Sequence, residues 1–545
     1  MRYEEASQTQ SRPRPTEVTA RTVVELAAAS NITISPEHEE QWATFLKGIN
    51  DSARKVLAMD DYTPIVDLER YPRTDVHVPE DTVGGGWALR MQLKSTSPVT
   101  NELEGRTIAI KDNVGIAGIP CTNGAAAMPD WQPTFDATVV TRILDAGGVI
   151  TGKSACENGC YESTSETAVS GIVDNPWAPG YSAGGSSSGS ASLVAAGAVD
   201  MAIGCDQGGS IRMPASFCGI VGLKPTWGLV PYTGAIGLDA SIDHIGPMTS
   251  TVADCALLLQ VIAGTDDLDD RQQKRTQNHG EVRYYDQLAR FLRDAPDKPL
   301  RGIRIGVLTE GFGLDISDPA VDAAVRDAAE KFSSLGAKVK SYSVPSHSTG
   351  QMIWGLATFA GSYQSAIGQA KGRKVVYMND RTDLSRVGQV EFDHGDVGAR
   401  SMMLSGMFLE TFLPSSLYGR CKNLLRKLSD DYDGAFKEVD ILITPTTPFA
   451  APKHATHQRP HDRLSANLGL TYNTSPLDAT GHPAISIPVS FIDAKDDAKV
   501  KLPVGMHLIG PKYSEALLLN VAGSWERAND WKAVLGESRK EHSDI

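Results

Sequence analysis

The sequence predicts an α/β protein. Three observations carry that expectation. From about residue 105 onward, short apolar β-prone runs alternate with helical ones, the pattern of strands covered by helices. Two amphipathic helical patterns precede residue 60 and stand apart from this alternation. Between them and the C-terminus lies a glycine- and serine-rich stretch, residues 180–226, embedded in apolar sequence rather than in a polar linker.

Bulk properties set limits. The 545 residues suffice for a large core, and 41% apolar with 22% charged residues is ordinary for a globular chain. The net charge of −14 argues against nucleic acid or an anionic membrane surface as the main partner. No apolar run reaches the ~18 residues of a membrane span, and the N-terminus has no secretory h-region. Seven cysteines form an odd, irregular set that suits a reducing compartment, so a cytoplasmic protein is expected.

In chain order, residues 1–17 read as a polar tail. A helix is expected near 19–29, with Val23, Leu26 and Ala27 on one face. A second begins at Ser35-Pro36-Glu37, where serine is an N-cap and proline fits the first helical position. Trp42, Phe45, Leu46, Ile49, Ala53, Val56 and Leu57 then recur at helical spacing, a stripe that must pack on the body or on another protomer. The segment 62–83, rich in proline and charge, reads as a linker, and residues 1–95 as tail, helical segment and linker together. The α/β run follows over 96–545. Strands are expected at 106–110, 149–151 and 201–203, with helices at 136–146, 190–199 and 252–263. The charged stretch 266–297 reads as a surface excursion. A second run has strands at 303–308 and 337–342 around a helix at 319–335, then a methionine- and aromatic-bearing region, 350–413, with no clear period. A helix at 417–436, strands at 441–444, 484–488 and 506–509, and a closing helix at 514–528 complete the chain. Residues 300–430 form the expected smaller subdomain.

Several motifs invite chemical readings. Residues 147–154 fit G-x-x-x-x-G-K-[ST], but a phosphate loop must follow a strand and open a helix, whereas here a helix precedes and the centre is strand-like. Cys156 and Cys160 have no His/Cys pair nearby to complete a zinc set, so they read as ordinary thiols and no metal is expected. The nucleophile-elbow pattern G-x-S-x-G occurs around Ser182 and Ser187, without the strand that should lead into it, and His244 is the best partner histidine. The serine clusters themselves, Gly184 to Gly189 and Gly208-Gly209-Ser210, offer hydroxyls and bare N–H groups on tight turns, as a nucleophile with an oxyanion hole requires.

The 180–226 run resembles the defining motif of the amidase signature family of serine hydrolases. Supporting pieces are Ala109 to Asn113, Asn175-Pro176-Trp177, Asp478 to Pro483 and Leu502 to Met506, so the likeness spans roughly residues 95–530. Within the family the chain is most similar to nitrile-pathway amidases, through the N-terminal helices and Gly228 to Ala235, and to urethanases. The resemblance implies a central mixed β-sheet flanked by helices and a Lys–Ser–Ser catalytic set falling on Lys111, Ser186 (in a cis peptide) and Ser210. It also implies an oxyanion hole of N–H groups from Gln207, Gly208, Gly209 and Ser210. Asp206, Arg212 and Ser187 would support that geometry, with Arg212 binding a substrate carboxylate as the alternative. Ser188 departs from the usual glycine.

For a lysine to act as base it must be neutral. Moving its pKa from about 10.4 towards 7 takes roughly 4 kcal/mol of preference for the neutral form, which burial at a strand end would provide. The implied activity is hydrolysis of small amides, and of carbamates, through an acyl-enzyme without cofactor or metal. The rival readings are a glutamine amidotransferase subunit of a tRNA-dependent complex and a non-catalytic binding protein. Met128, Trp131, Trp354, Tyr363 and Tyr418 are candidates for a substrate pocket, and the N-terminal helices for a homodimer interface.

Overall fold

The computed structural model describes residues 17–127, 130–294, 297–370, 392–393, 395–455, 462–464 and 467–535. All but the last residue of the expected tail lies outside these residues. The chain divides into two compact units, Met1–Ile65 and Val66–Ile545.

The first unit holds helices α1 (Ala20–Ala28) and α2 (Glu39–Leu57). Pro36 opens a single 3-10 turn, with the His38 N–H donating to Ser35 O at 2.9 Å, and the α-helix begins only at Glu39. Within α1 and α2, Val23 and Ala43 are buried. The stripe along α2 stays in the open: Trp42 is 49% exposed, Phe45 58%, Ile49 54% and Val56 63%.

The second unit is built on strands β1 (Arg73–His77), β2 (Trp87–Leu93), β3 (Thr107–Lys111), β4 (Val149–Ser154), β5 (Asp174–Asn175), β6 (Ala178–Ser182), β7 (Met201–Asp206), β8 (Val221–Lys224), β9 (His244–Thr249), β10 (Arg304–Leu308), β11 (Lys338–Tyr342), β12 (Ile441–Pro445), β13 (Ala484–Ala494) and β14 (Asp497–Ile509). Twelve of the described strands form one sheet in the order β1-β2-β4-β3-β7-β9-β8-β13-β14-β12-β10-β11, while β5 and β6 pair separately. The sheet is mixed. β3 runs parallel to β4 and β7, β10 runs parallel to β11 and β12, and antiparallel strands lie between these groups.

Strand alternation builds two faces. Ile108, Ile110, Met201 and Ile203 enter the larger core, whereas Ala109 and Ala202 join the cluster on the other side. Helices α3 (Thr138–Asp145), α6 (Val252–Ile262), α7 (Tyr284–Asp294), α8 (Pro319–Lys331) and α13 (Glu515–Ala528) cover the first face. On the second lie α4 (Ser188–Ala195) and α5 (Arg212–Cys218), where Ala109, Ala202, Ala191 and Ala215 keep the layers close. Further along it pack α9 (His347–Ala366) and α11 (Ser416–Ala435), with α10 (Val397–Phe412) beside α9 and α12 (Ser475–Thr480) close by.

Five elements depart from the expected pattern. The residues read as a linker contain β1, which pairs with β2, so the sheet begins ahead of residue 96. The charged stretch 266–297 contains α7, whose Tyr284 and Leu288 sit in the core at i, i+4 while its charges face outward. Strands β6, β8 and β9 escaped notice because Pro179 and Pro247 interrupt two of them and glycine dilutes β8.

Candidate active site

β3 and β7 are parallel neighbours, with Ile110 paired to Ile203, so Lys111 and Asp206 end their strands on one edge of the sheet. Alternation turns Lys111 towards the α4 side, the face occupied by the serine clusters. Lys111 is fully buried, and its Nζ donates to Ser186 Oγ at 2.8 Å and reaches Cys205 O at 3.4 Å. The Gly185-Ser186 peptide is cis. Ser186 O accepts the Glu157 N–H at 3.2 Å, and the Ser187 N–H donates to Ser210 O at 3.3 Å, which ties the first cluster to the second. Ser187 Oγ donates to Cys205 O at 3.2 Å and accepts the Cys205 N–H at 3.3 Å, pinning the start of α4 to β7. Ser188, the departure from the usual glycine, donates its hydroxyl to Glu157 Oε1 at 3.2 Å.

The second cluster turns between β7 and α5. Asp206 Oδ1 accepts the Gly209 N–H at 2.5 Å and Asp206 Oδ2 the Ile211 N–H at 3.1 Å. This corrects one expectation: the Gly209 N–H is spent on holding the turn and is not available to a substrate oxygen. The N–H groups of Gln207, Gly208 and Ser210 donate to no protein group among the described residues. Gly209 has φ +137°, and a Cβ there would lie 2.4 Å from Thr474 Oγ1. Thr474 Oγ1 in turn donates to Gly208 O at 2.6 Å, and Trp354 Nε1 donates to Gln207 O at 2.9 Å, so the loop is braced from α9 and from the approach to α12.

Arg212 is fully buried, and its donors are all engaged. Nε and Nη2 bind Asp206 at 2.9 and 3.1 Å, and Nη2 binds Asp478 at 2.6 Å. Nη1 reaches Thr474 O at 3.0 Å and His507 Nε2 at 3.2 Å. No donor remains for a substrate carboxylate, which removes that alternative. Burial alone would push Asp206 up, but the Arg212 charge and hydrogen bonds outweigh it and hold the carboxylate far below its usual range.

The electrostatics of Lys111 differ from expectation. Burial is the largest influence and favours the neutral amine, yet Cys160, Cys205 and Cys156 as anions, with Asp206, together hold it above the ordinary lysine value. Burial pushes Cys205 up to about 12, and a hydrogen bond to Cys160, with burial, raises Cys156 well above its usual range, so both are uncharged thiols at neutral pH. Asp206 is neutralised by Arg212. The opposition therefore reduces to Cys160, brought down to about 6, first by its hydrogen bond to Cys156, against burial, and then by Lys111 and Ser186. Lys111 is a neutral base to the extent that the Cys160 sulfur keeps its proton.

The other sequence candidates disperse. Residues 147–154 form a turn and β4, and Lys153 is buried, donating to Val114 O at 2.6 Å beside Asp112 at 3.3 Å, which leaves no phosphate loop. Ser182 Oγ donates to Thr164 O at 2.9 Å, and His244 lies against Ile242 O at 2.7 Å and Asp478 at 3.5 Å, pushed well down by burial, so they form no elbow dyad. Trp354 touches the Ser210 loop. Trp131 packs with Cys121 and Ile236, Tyr363 against Gly406 of α10, and Tyr418 hydroxyl at 3.5 Å from Asp239, while Met128 lies outside the described residues. Sequence reasoning missed Glu157 and Cys160, which border Ser186, and Thr474, which locks Gly208. The cysteine spacing was a visible signal, read only against metal binding. Among the described residues no group of His, Cys, Asp or Glu is placed to hold a metal ion, and no helix is long and apolar enough to cross a membrane.

The sequence model of the Amidase family matches residues 87–519. An enantioselective amidase of Rhodococcus rhodochrous is 40% identical over 428 residues, covering 77% of this chain and 79% of the relative. A glutamyl-tRNA(Gln) amidotransferase subunit of Synechococcus sp. (strain RCC307) is 37% identical, covering 78% of this chain and 84% of the relative. Among solved structures, 6-aminohexanoate cyclic dimer hydrolase complexed with substrate is similar with a TM-score of 0.66 and 26% identity, covering 79% of this chain and 86% of that one.

Proposed function

The chain belongs to the Amidase family, and from that premise we propose that it hydrolyses amide C–N bonds through an acyl-enzyme on Ser210. The observation that carries this reading is the buried Lys111 Nζ–Ser186 Oγ hydrogen bond of 2.8 Å, set beside a Ser187–Ser210 main-chain bond. In the proposed sequence Ser210 Oγ attacks the carbonyl carbon. Its proton passes to Ser186 Oγ, whose own proton passes to Lys111. The N–H groups of Gln207, Gly208 and Ser210 receive the developing oxyanion. The proton returns through Ser186 to the leaving amine, the C–N bond breaks, and water attacks the ester by the same route to release the acid.

Substrates are small amides, with carbamates as a second class because the same attack applies. Ethyl carbamate would give ethanol, carbon dioxide and ammonia. The seven cysteines, all free, fit a reducing cytoplasmic setting. The exposed α2 stripe supports a homodimer.

A second reading, the glutamine-hydrolysing subunit of an amidotransferase, is favoured by relatives such as the Synechococcus protein. One experiment separates the two. The purified full chain, without partners, is given short aliphatic amides, aromatic amides, anilides, ethyl carbamate and glutamine. Turnover of amides by the lone protein is expected, whereas turnover of glutamine alone, appearing only with a partner complex, would overturn the proposal.

A further inference from the structure

An oxyanion hole works only if its N–H groups are aimed, and a peptide N–H is aimed by whatever holds the carbonyl on the far side of its plane. Among the described residues the cis peptide is Gly185-Ser186, so the peptides of the 206–210 turn are trans, with C=O and N–H on opposite edges. The Ser210 N–H is aimed from within the segment: Gly209 O, across the same peptide, accepts the Met213 N–H at 2.7 Å as α5 begins. The Gly209 N–H is taken by Asp206. The Gly208 N–H differs. Across its peptide, Gln207 O accepts Trp354 Nε1 at 2.9 Å, a bond that comes from α9, 147 residues further along the chain. The indole also lies against Gly208, where a Cβ would sit 2.5 Å from Trp354 Cζ2.

Helical spacing brings Trp354 there. His347, Gly350, Gln351 and Trp354 stand at i, i+3, i+4 and i+7 and share one face of α9. His347 Nε2 lies 3.1 Å from Asn473 Oδ1, and Gln351 Nε2 donates to Thr471 Oγ1 at 2.8 Å. A Cβ on Gly350 would meet Pro476 Cγ at 2.9 Å. These contacts dock that face on residues 471–476, the segment that also supplies Thr474 to Gly208 O, and so fix the helix that delivers the indole N–H.

We propose that Trp354 is a positioning residue for the oxyanion hole: its indole N–H, acting through Gln207 O, keeps the Gly208 N–H pointed at the substrate carbonyl oxygen. The role rests on the hydrolase reading, since only a reacting carbonyl gives the Gly208 N–H an oxyanion to hold. A neutral carbonyl gains little from a well-aimed donor and a developing oxyanion gains much, so loss of aim falls on kcat rather than on KM. Lys111 and Ser186 make no contact with this bond, so the proton route and its pH dependence stay as they are.

Trp354→Phe keeps an aromatic ring in place and removes the N–H. Steady-state kinetics of the full chain are measured on benzamide and propionamide, beside the rate of inactivation by a fluorophosphonate, whose phosphoryl oxygen enters the same hole when Ser210 attacks. The expected result is a kcat lower by about tenfold or more, inactivation slowed by a similar factor, and KM within about twofold of wild type. The acidic limb of the pH profile and the melting temperature should not move. Unchanged kcat and inactivation rate, or a raised KM at wild-type kcat as a mere pocket wall would give, would overturn the proposal. Should Trp354→Phe fail to fold, replacing that indole by benzothiophene, which keeps the bicyclic shape and lacks the N–H, decides the question by the same readouts. A wild-type chain that reacts with the fluorophosphonate yet hydrolyses no amide would count against the hydrolase reading alone, and the two inactivation rates would still decide the role of Trp354.

Discussion

At the scale of single residues, catalysis turns on how Lys111 is kept able to accept a proton. The charged and titratable groups facing it are Cys160, Cys156, Cys205 and Asp206, with the Ser186 hydroxyl. Cys160, brought down to about 6 first by its hydrogen bond to Cys156, is the group whose anionic form raises Lys111 most, since Asp206 has Arg212. Removing that anion removes the main influence that raises Lys111, so its pKa falls and the neutral amine persists to lower pH. Cys160→Ala should therefore move the acidic limb of kcat/KM to lower pH, by about one unit or more. An unmoved limb would show that Cys160 does not govern the base. Lys111, Ser186 and Ser210 were implied by the resemblance to the amidase signature family, whose motif is carried by short local stretches of sequence. The cysteine neighbourhood was not legible, because it arises from residues on β3, β7 and the 156–160 turn meeting across the sheet edge.

The elements that hold the site divide along similar lines. Strand ends β3 and β7 were legible from short apolar runs ending in charge. Helices α9 and α10 were not, since both mix small, apolar and polar residues around the whole circumference and show little periodicity. Yet α9 supplies Trp354, which braces Gln207, and the Thr474 hydroxyl holds Gly208 from 266 residues away in sequence. Gly209 is where this bracing is tightest: φ +137° and a Cβ position 2.4 Å from Thr474 Oγ1 leave no room for a side chain. Gly209→Ala should cut kcat at least tenfold, about 1–3 kcal/mol of local distortion being absorbed by the turn. Circular dichroism should remain unchanged. Wild-type kcat in this variant would mean that the turn is not part of the catalytic geometry.

For the whole molecule, the same burial that excludes water from the site traps carboxyl groups. Burial, followed by the neighbouring Glu157, pushes Glu162 up to about 8. Its folded-state pKa lies above the unfolded value, so the native state binds the extra proton, and stability falls as pH rises from about 4.5 to 8. Glu162→Gln keeps an acceptor for Asn467 Nδ2, which lies 3.3 Å from Glu162 Oε2, and abolishes this titration. The variant should melt at a higher temperature than wild type at pH 8 and show little difference at pH 4.5, a gap on the order of a few kcal/mol. Equal pH dependence in the two proteins would refute it. The exposed α2 stripe makes a separate claim about assembly. A Trp42→Glu, Phe45→Glu double variant should convert a homodimer to monomers in sedimentation, and a dimer that persists would place the interface elsewhere. Both units are described by the chain's own patterning, but the stripe's exposure emerged only once α2 was seen to bury Ala43 alone.

The most direct measurement is the intact mass of the full chain after a brief exposure to an activated ester or a fluorophosphonate. A single adduct is predicted, mapped to Ser210, absent from Ser210→Ala and greatly slowed in Lys111→Ala. An adduct on another residue, or hydrolysis that persists in Ser210→Ala at near wild-type rate, would contradict the assignment of Ser210 as nucleophile.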